Sequence, residues 1–218
     1  AGNTNTGNTN RGYGDLVNGG AGNDALIGGG HTDLFYGGIG NDYLYGGAEN
    51  DVLRGGAGID RIEGGTGSDV LKGDAGADVF VWSLGDGSNS LGTIAAGNSN
   101  SYGVNKAIHL AYTTDRVMDF SKSEGDALDL RGLLVGEVHT GVTDPGNLSN
   151  YLHFETTSVS GVTSTVVHIS TDGGFANGYD ATVENQNQTI VLTNVNLLQD
   201  STGTTLLSDN AEIGRAHV

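Results

Sequence analysis

The chain has 218 residues, with 39 glycines, one proline and no cysteine, and 26 Asp and Glu against 9 Lys and Arg give a formal charge of −17. The missing cysteine excludes disulfides and thiolate metal sites, no three-residue glycine period points to collagen, and no apolar run approaches the ~18 residues of a membrane-spanning helix. So acidic a chain lacks the basic patch that nucleic acid or anionic lipid requires, and its natural partners are cations.

In chain order, residues 1–9 (AGNTNTGNT) read as a worn linker without an acid or a large apolar residue. Residues 10–18 (NRGYGDLVN) open a nine-residue period. It continues without insertion from residue 19 as GGAGNDALI, GGGHTDLFY, GGIGNDYLY, GGAENDVLR, GGAGIDRIE, GGTGSDVLK and GDAGADVFV, ending at Val81. Position six is always aspartate: Asp15, Asp24, Asp33, Asp42, Asp51, Asp60, Asp69 and Asp78. Position eight is always large and apolar: Val17, Leu26, Phe35, Leu44, Leu53, Ile62, Leu71 and Phe80. One apolar residue in nine is too sparse for a helix face, and glycine pairs break helices. The period suits a short strand with one inward residue, followed by a tight glycine turn.

Residues 82–114 form a Gly/Ser/Asn-rich loop or lid, with Trp82 expected to cover the open apolar end of the repeat. Residues 115–218 read as a β-rich C-terminal domain. DRVMDFSKSEGDALDLRGLL (115–134) alternates apolar and acidic residues and ends in a Leu-rich stretch resembling one helical turn. YLHFE (151–155), STVVHIS (164–170) and TIVLT (189–193) have strand periodicity, and Thr171 to Gly174 reads as a turn.

The repeat carries its own chemistry. Calcium takes six to eight oxygens from carboxylates and backbone carbonyls. Glycines allow a loop to turn its carbonyls inward, and stacked aspartates repel unless a divalent cation lies between them. Magnesium fits less well, because it demands octahedral geometry and keeps its waters.

The pattern G-G-x-G-x-D-x-U-x resembles the calcium-binding repeat of RTX proteins. The resemblance implies an all-β fold: a calcium-bound parallel β-roll over residues 10–81, two nonapeptides per turn, followed by a β-rich capping domain. Calcium would lie between stacked loops along both edges, about six ions in the roll. The eight aspartates would be ligands, with the loops Gly37, Gly38, Ile39, Gly40 and Gly55, Gly56, Ala57, Gly58 supplying carbonyls. Asp115, Asp119, Glu124, Asp126 and Asp129 suggest either a further site or solvated turn acids.

In such a roll alternate units share an edge. Position four is Gly22, Gly40, Gly58 and Gly76 on the edge of Asp24, Asp42, Asp60 and Asp78. On the edge of Asp15, Asp33, Asp51 and Asp69 it is Tyr13, His31, Glu49 and Gly67. This substituted edge is expected to bind calcium more weakly, with His31 a replaced turn residue rather than a ligand. Position seven should face outward, and Leu34, Val52 and Val70 are expected to lie under part of residues 82–218, more buried than Ala25, Tyr43 and Arg61.

DRVMDF, GDALDLRGLL, NLSNYLHFE and HISTDGG look like the C-terminal domain of large RTX adhesins exported by type I secretion. This likeness implies a secreted or cell-surface bacterial protein, unfolded at low calcium and folding outside the cell. Its partners would be calcium, the type I secretion machinery and upstream adhesin domains, with no nucleic acid, no membrane insertion and a monomeric state. The secretion region would lie within residues 115–218. No H-E-x-x-H, G-x-S-x-G, P-loop or dinucleotide fingerprint occurs, so no enzyme is expected. Two alternatives are the secretion module of an RTX exoenzyme and a ligand-binding module. The sequence shows no Thr row for ice, and Tyr36, Tyr43 and Tyr45 are its candidates for glycan contact.

Overall fold

The computed structural model describes residues 13–86, 113–134, 150–171, 173, 175 and 188–198, with the backbone of 4–6. Its regular elements among these residues are strands: β1 (Thr4–Thr6), β2 (Leu16–Ala21), β3 (Ala25–Ile27), β4 (Leu34–Ile39), β5 (Tyr43–Ala48), β6 (Val52–Ala57) and β7 (Arg61–Thr66). They continue with β8 (Val70–Ala75), β9 (Val79–Val81), β10 (Thr114–Val117), β11 (Ala127–Asp129), β12 (Leu152–Val159), β13 (Val162–Ile169) and β14 (Gln188–Leu192).

Each nonapeptide contributes one strand, and successive strands alternate between two sheets, ordered β1-β3-β5-β7-β9-β11 and β12-β13-β14-β10-β8-β6-β4-β2. Within the repeat all pairing is parallel. Phe35 lies opposite Leu53, and Leu53 opposite Leu71. The 18-residue step means two nonapeptides per turn, the expected β-roll. Position eight points between the sheets: Leu26, Phe35, Leu44, Leu53, Ile62, Leu71 and Phe80 are all fully buried. Burying each such side chain contributes roughly 1.5–3 kcal/mol.

The roll does not stop at Val81. Val117 pairs with Leu71, and Leu128 with Phe80, each buried in the same column. Asp115-Arg116-Val117-Met118 and Asp126-Ala127-Leu128-Asp129 thus repeat the D-x-U-x half of the nonapeptide. The offset between consecutive aspartate rungs rises from 18 to 46 residues on one edge and to 48 on the other. A 28-residue insertion therefore interrupts a single loop, and the next loop is two residues longer. At the other end β1, within the expected linker, pairs with β3.

The expected strands at 151–155, 164–170 and 189–193 appear as β12, β13 and β14. β14 runs parallel to β10, and β13 and β12 follow antiparallel. Leu152, Phe154, Val167, Ile169, Ile190, Leu192 and Leu197 thereby join the roll's hydrophobic core. The expectation that this half lies across Leu34, Val52 and Val70 is corrected. Val52 is 40% exposed, and Leu34 and Val70 are half-buried like Ala25 and Tyr43. The end of a roll presents unpaired backbone donors and acceptors, which a further strand satisfies and a covering face would not. Trp82 is buried in the core but is not its last layer, since Val117 and Leu128 stack beyond Leu71 and Phe80. The Leu-rich stretch closes as one turn, with the Leu133 and Leu134 amides both donating to the Leu130 carbonyl. Residues 87–108, Asp172, Gly174 and 201–218 lie outside the described residues.

Candidate metal centre

The strands hold the aspartates in two ladders, one along each edge. From Asp33 onward each carboxylate reaches back one turn and accepts the backbone N–H of the aspartate 18 residues before it. Asp24 N donates to Asp42 Oδ1 at 2.7 Å, Asp42 N to Asp60 at 2.8 Å and Asp60 N to Asp78 at 2.9 Å. On the substituted edge Asp15 N donates to Asp33 at 2.6 Å, Asp33 N to Asp51 at 2.7 Å and Asp51 N to Asp69 at 2.8 Å. From Asp24 onward the repeat aspartates are at least 96% buried, while Asp15, at the roll's end, is half-buried.

The second oxygen is the informative one. Oδ2 of Asp42, Asp51, Asp60, Asp69 and Asp78 is buried without a hydrogen-bond partner among the described residues. A buried, unpartnered carboxylate oxygen is costly unless it meets a cation or a proton. Each faces the first glycine of its own repeat. A Cβ on Gly37 would lie 2.5 Å from Asp42 Oδ2 and 2.6 Å from the Gly55 carbonyl oxygen. One on Gly46 would lie 2.2 Å from Asp51 Oδ2 and 2.6 Å from the Gly64 carbonyl oxygen. Carboxylate and carbonyl oxygens therefore converge where only glycine leaves room, and this hard oxygen donor set fits calcium.

Of the carbonyl candidates, Gly55 matches this placement. The carbonyls of Ile39 and Ala57 instead accept turn-to-turn bonds from Gly22 and Gly40, at 2.7 and 2.8 Å. Gly38, Gly40, Gly56 and Gly58 serve the backbone, with φ between 119° and 142°, a region open to glycine and costly for other residues. Gly46 and Gly64, on the substituted edge, occupy positions equivalent to Gly37 and Gly55, and sequence reasoning left them out.

Burial and the stacking of like charges raise the proton affinity of these groups. Burial first, then neighbouring rungs, push Asp51 up to about 8 against the hydrogen bond from Asp33. Burial pushes Asp69 up to about 7 and Asp60 and Asp78 to about 6.

The substituted edge departs from regularity at one loop rather than along its length. Glu49 accepts the left-handed conformation, with φ 77°, and Asp51 Oδ2 stays buried without a hydrogen-bond partner among the described residues. Around His31 no residue of 28–33 has positive φ, and Asp33 Oδ2 accepts the Gly29 N–H at 3.2 Å. That oxygen still faces the first glycine of its repeat, since a Cβ on Gly28 would lie 2.3 Å from it and 2.0 Å from the Gly46 carbonyl oxygen, and it carries the Gly29 bond in addition.

The acids of 115–129 do not form one site. Asp115 and Asp126 fall on opposite edges as the next rungs, accepting Asp69 N at 2.8 Å and Asp78 N at 2.9 Å. Their second oxygens are satisfied by protein donors. Trp82 Nε1 and Gln188 Nε2 reach Asp115 Oδ2 at 2.6 and 2.8 Å, and Ser121 N reaches Asp126 Oδ2 at 2.8 Å. Asp119 accepts the amides of Gly73 and Asp74, and Asp129 pairs with Arg131 and Arg61. Glu124 sits in the exposed turn at Ser121. The segment terminates the ladders. Among the described residues no three carboxylates or imidazoles converge on a metal position, and the roll's positions combine carboxylates with carbonyls. Tyr36 lies on one sheet and Tyr43 and Tyr45 on the other, all half-buried, so they form no common aromatic platform.

The family model described as RTX calcium-binding nonapeptide repeat (4 copies) matches residues 11–44 and again 45–80. No curated protein matches the chain. With the 18-residue register, the paired aspartate ladders and the glycine cradles in place, residues 11–80 of the chain are a run of RTX calcium-binding nonapeptide repeats.

Proposed function

We propose that this chain is a calcium-dependent folding and export module of a secreted or cell-surface bacterial RTX adhesin. The observation that carries the reading is the set of buried, like-charged aspartate rungs whose second oxygens have no partner. At low calcium those carboxylates oppose burial, and a chain with 39 glycines has much ordering entropy to overcome. Calcium, when bound, supplies the positive charge that makes the compact roll favourable, so binding free energy becomes folding free energy. The rungs transmit that stabilisation along the roll, because each aspartate is hydrogen-bonded to the turn before it. In the cytosol the module stays extended and can pass a type I channel; outside, at calcium of about 10⁻⁴–10⁻³ M, it folds. The likeness of DRVMDF, GDALDLRGLL and HISTDGG to adhesin C-termini supports the export role. The role is conformational and requires no catalytic group.

The test is far-UV circular dichroism of this chain during a calcium titration, with magnesium as control. A β signal that appears with calcium, is reversed by chelator and is absent with magnesium supports the proposal. A spectrum unchanged by chelation overturns it.

A further inference from the structure

The aspartate ladder ties each loop to the turn after it, and a second ladder ties some of the same loops to the turn before. Position five carries it. The Asn41 amide donates to Asn23 Oδ1 at 3.0 Å, the Ile59 amide to Asn41 Oδ1 at 3.0 Å and the Ser68 amide to Asn50 Oδ1 at 2.8 Å. Across the insertion the Thr114 amide donates to Ser68 Oγ at 3.1 Å, so a serine hydroxyl serves the same purpose. The residue after Asn41, Ile59 or Ser68 is a rung aspartate, whose own amide donates the other way. Asp42 N reaches Asp60, Asp60 N reaches Asp78 and Asp69 N reaches Asp115. Two consecutive N–H groups of one loop are therefore held by opposite neighbours.

This arrangement fixes the peptide group between positions four and five. That group is trans, so an N–H held by the turn before sends the position-four carbonyl toward the turn after. A Cβ on Gly58 would meet the Gly40 carbonyl oxygen at 2.0 Å and Asn41 Oδ1 at 2.9 Å. One on Gly40 would meet the Gly22 carbonyl oxygen at 2.1 Å and Asn23 Oδ1 at 3.0 Å, and one on Gly67 would lie 3.2 Å from Asn50 Oδ1. The sequence follows the same rule. Asn23, Asn41 and Asn50 are each followed, one turn on, by glycine at position four, namely Gly40, Gly58 and Gly67. His31 and Glu49 instead come one turn after Gly14 and Thr32, neither of which makes this bond among the described residues. Gly76 comes one turn after Ile59, so glycine can occur without the asparagine bond, whereas the bond occurs only where glycine follows.

We propose that Asn23, Asn41 and Asn50 are positioning residues of the calcium loops, each clamping the loop one turn on and thereby requiring glycine at that loop's fourth position. They act through the backbone and not as ligands: their side-chain oxygens accept amides, and all three residues are exposed while the neighbouring aspartates are buried. Each clamp holds the peptide next to a rung aspartate, so it presents that carboxylate in register with the turns on either side. A loop without the clamp is free to accept His31 or Glu49. The proposal rests on calcium binding by the roll.

The experiment titrates the chain with calcium under far-UV circular dichroism, then measures amide exchange of the calcium-folded protein by NMR. In wild-type protein the Ile59 amide should exchange more slowly than the Ala77 amide, which holds the same position one turn after Ile59, where no side-chain acceptor exists. Asn41→Ala should bring Ile59 exchange to the Ala77 rate, leave the core amide of Ile62 protected, and raise the calcium midpoint about 1.3-fold. Asn41→Ser, which keeps an acceptor of the kind Ser68 provides, should restore both readouts. Unchanged Ile59 exchange in Asn41→Ala, or no recovery in Asn41→Ser, overturns the clamp and leaves the roll reading standing. No far-UV transition in wild-type protein overturns the roll reading itself. Should Asn41→Ala fail to fold, Asn50→Ala decides through the Ser68 amide: faster exchange supports the clamp, and unchanged exchange overturns it.

Discussion

Replacing Asp42 and replacing Asp33 by alanine should raise the calcium midpoint of folding by different amounts, although both residues occupy position six. Asp42 Oδ1 accepts a buried amide from Asp24, and its Oδ2 faces the glycine cradle unpartnered. Its loss removes a charge-assisted hydrogen bond worth about 1.5–3 kcal/mol and strands a buried N–H. Asp33 accepts an amide from Asp15, which is half-buried where water can replace the carboxylate, and its other oxygen is already held by Gly29. A smaller loss of about 0.5–1 kcal/mol follows. When folding takes up about six ions together, the midpoint moves by the exponential of ΔΔG/nRT, so about 2 kcal/mol gives roughly a 1.8-fold shift. For Asp33→Ala the same relation gives about 1.2-fold. A calcium titration followed by far-UV circular dichroism reads both. Equal shifts, or a larger one for Asp33→Ala, would refute the reasoning that the Gly29 bond and the half-buried Asp15 partner make Asp33 the weaker rung.

Gly46→Ala should abolish calcium-induced folding or raise its midpoint several-fold, because its Cβ would lie 2.2 Å from Asp51 Oδ2; Gly30→Ala, with no atom within 4 Å of its Cβ, should stay near wild type, and similar midpoints for the two would contradict the cradle. Glu49→Gly should lower the midpoint, since it relieves a left-handed strain of roughly 1–2 kcal/mol; a raised midpoint would count against that strain. The pH dependence without calcium follows from Asp51, Asp69, Asp60 and Asp78, whose folded carboxyls are raised to about 8, 7, 6 and 6. The folded chain then holds more protons than the unfolded one, whose carboxyls titrate near 4. Stability in chelator should therefore rise as pH falls from about 8 towards 4 and be lost as pH rises through the same window. Circular dichroism in chelator checks this, and a loss of β signal on acidification from pH 8 to 5 would be inconsistent with it.

The roll was legible because the period writes every level of the structure at once. Aspartate at position six, an apolar residue at position eight and glycine at position one each answer a local need, and their common spacing fixes the register. The ends of the ladders were hidden because the insertion broke that spacing before Asp115. The signal that could have found them was the D-x-U-x tetrad, present at Asp115 to Met118 and again at Asp126 to Asp129. Those residues read as a surplus of acids when taken by count alone. The outward row of Leu34, Val52 and Val70 misled for a different reason. Alternation along a strand says which way a side chain points, whereas what covers it depends on where the next chain segment finds hydrogen-bond partners. Here those partners lay at the end of the sheet. The engagement of Asp33 Oδ2 by the Gly29 amide likewise depends on loop conformation, which substitution at position four signals but does not specify.

The central claim is that the aspartate ladders are held folded by calcium and not by the polypeptide alone. Amide hydrogen exchange of this chain at neutral pH, compared in calcium and in chelator, tests it rung by rung. The rung amides of Asp24, Asp42, Asp51, Asp60 and Asp69 are buried and hydrogen-bonded to the next carboxylate in the folded roll. They should be strongly protected in calcium and exchange at nearly unfolded rates in chelator. Equal protection in both conditions would contradict the account.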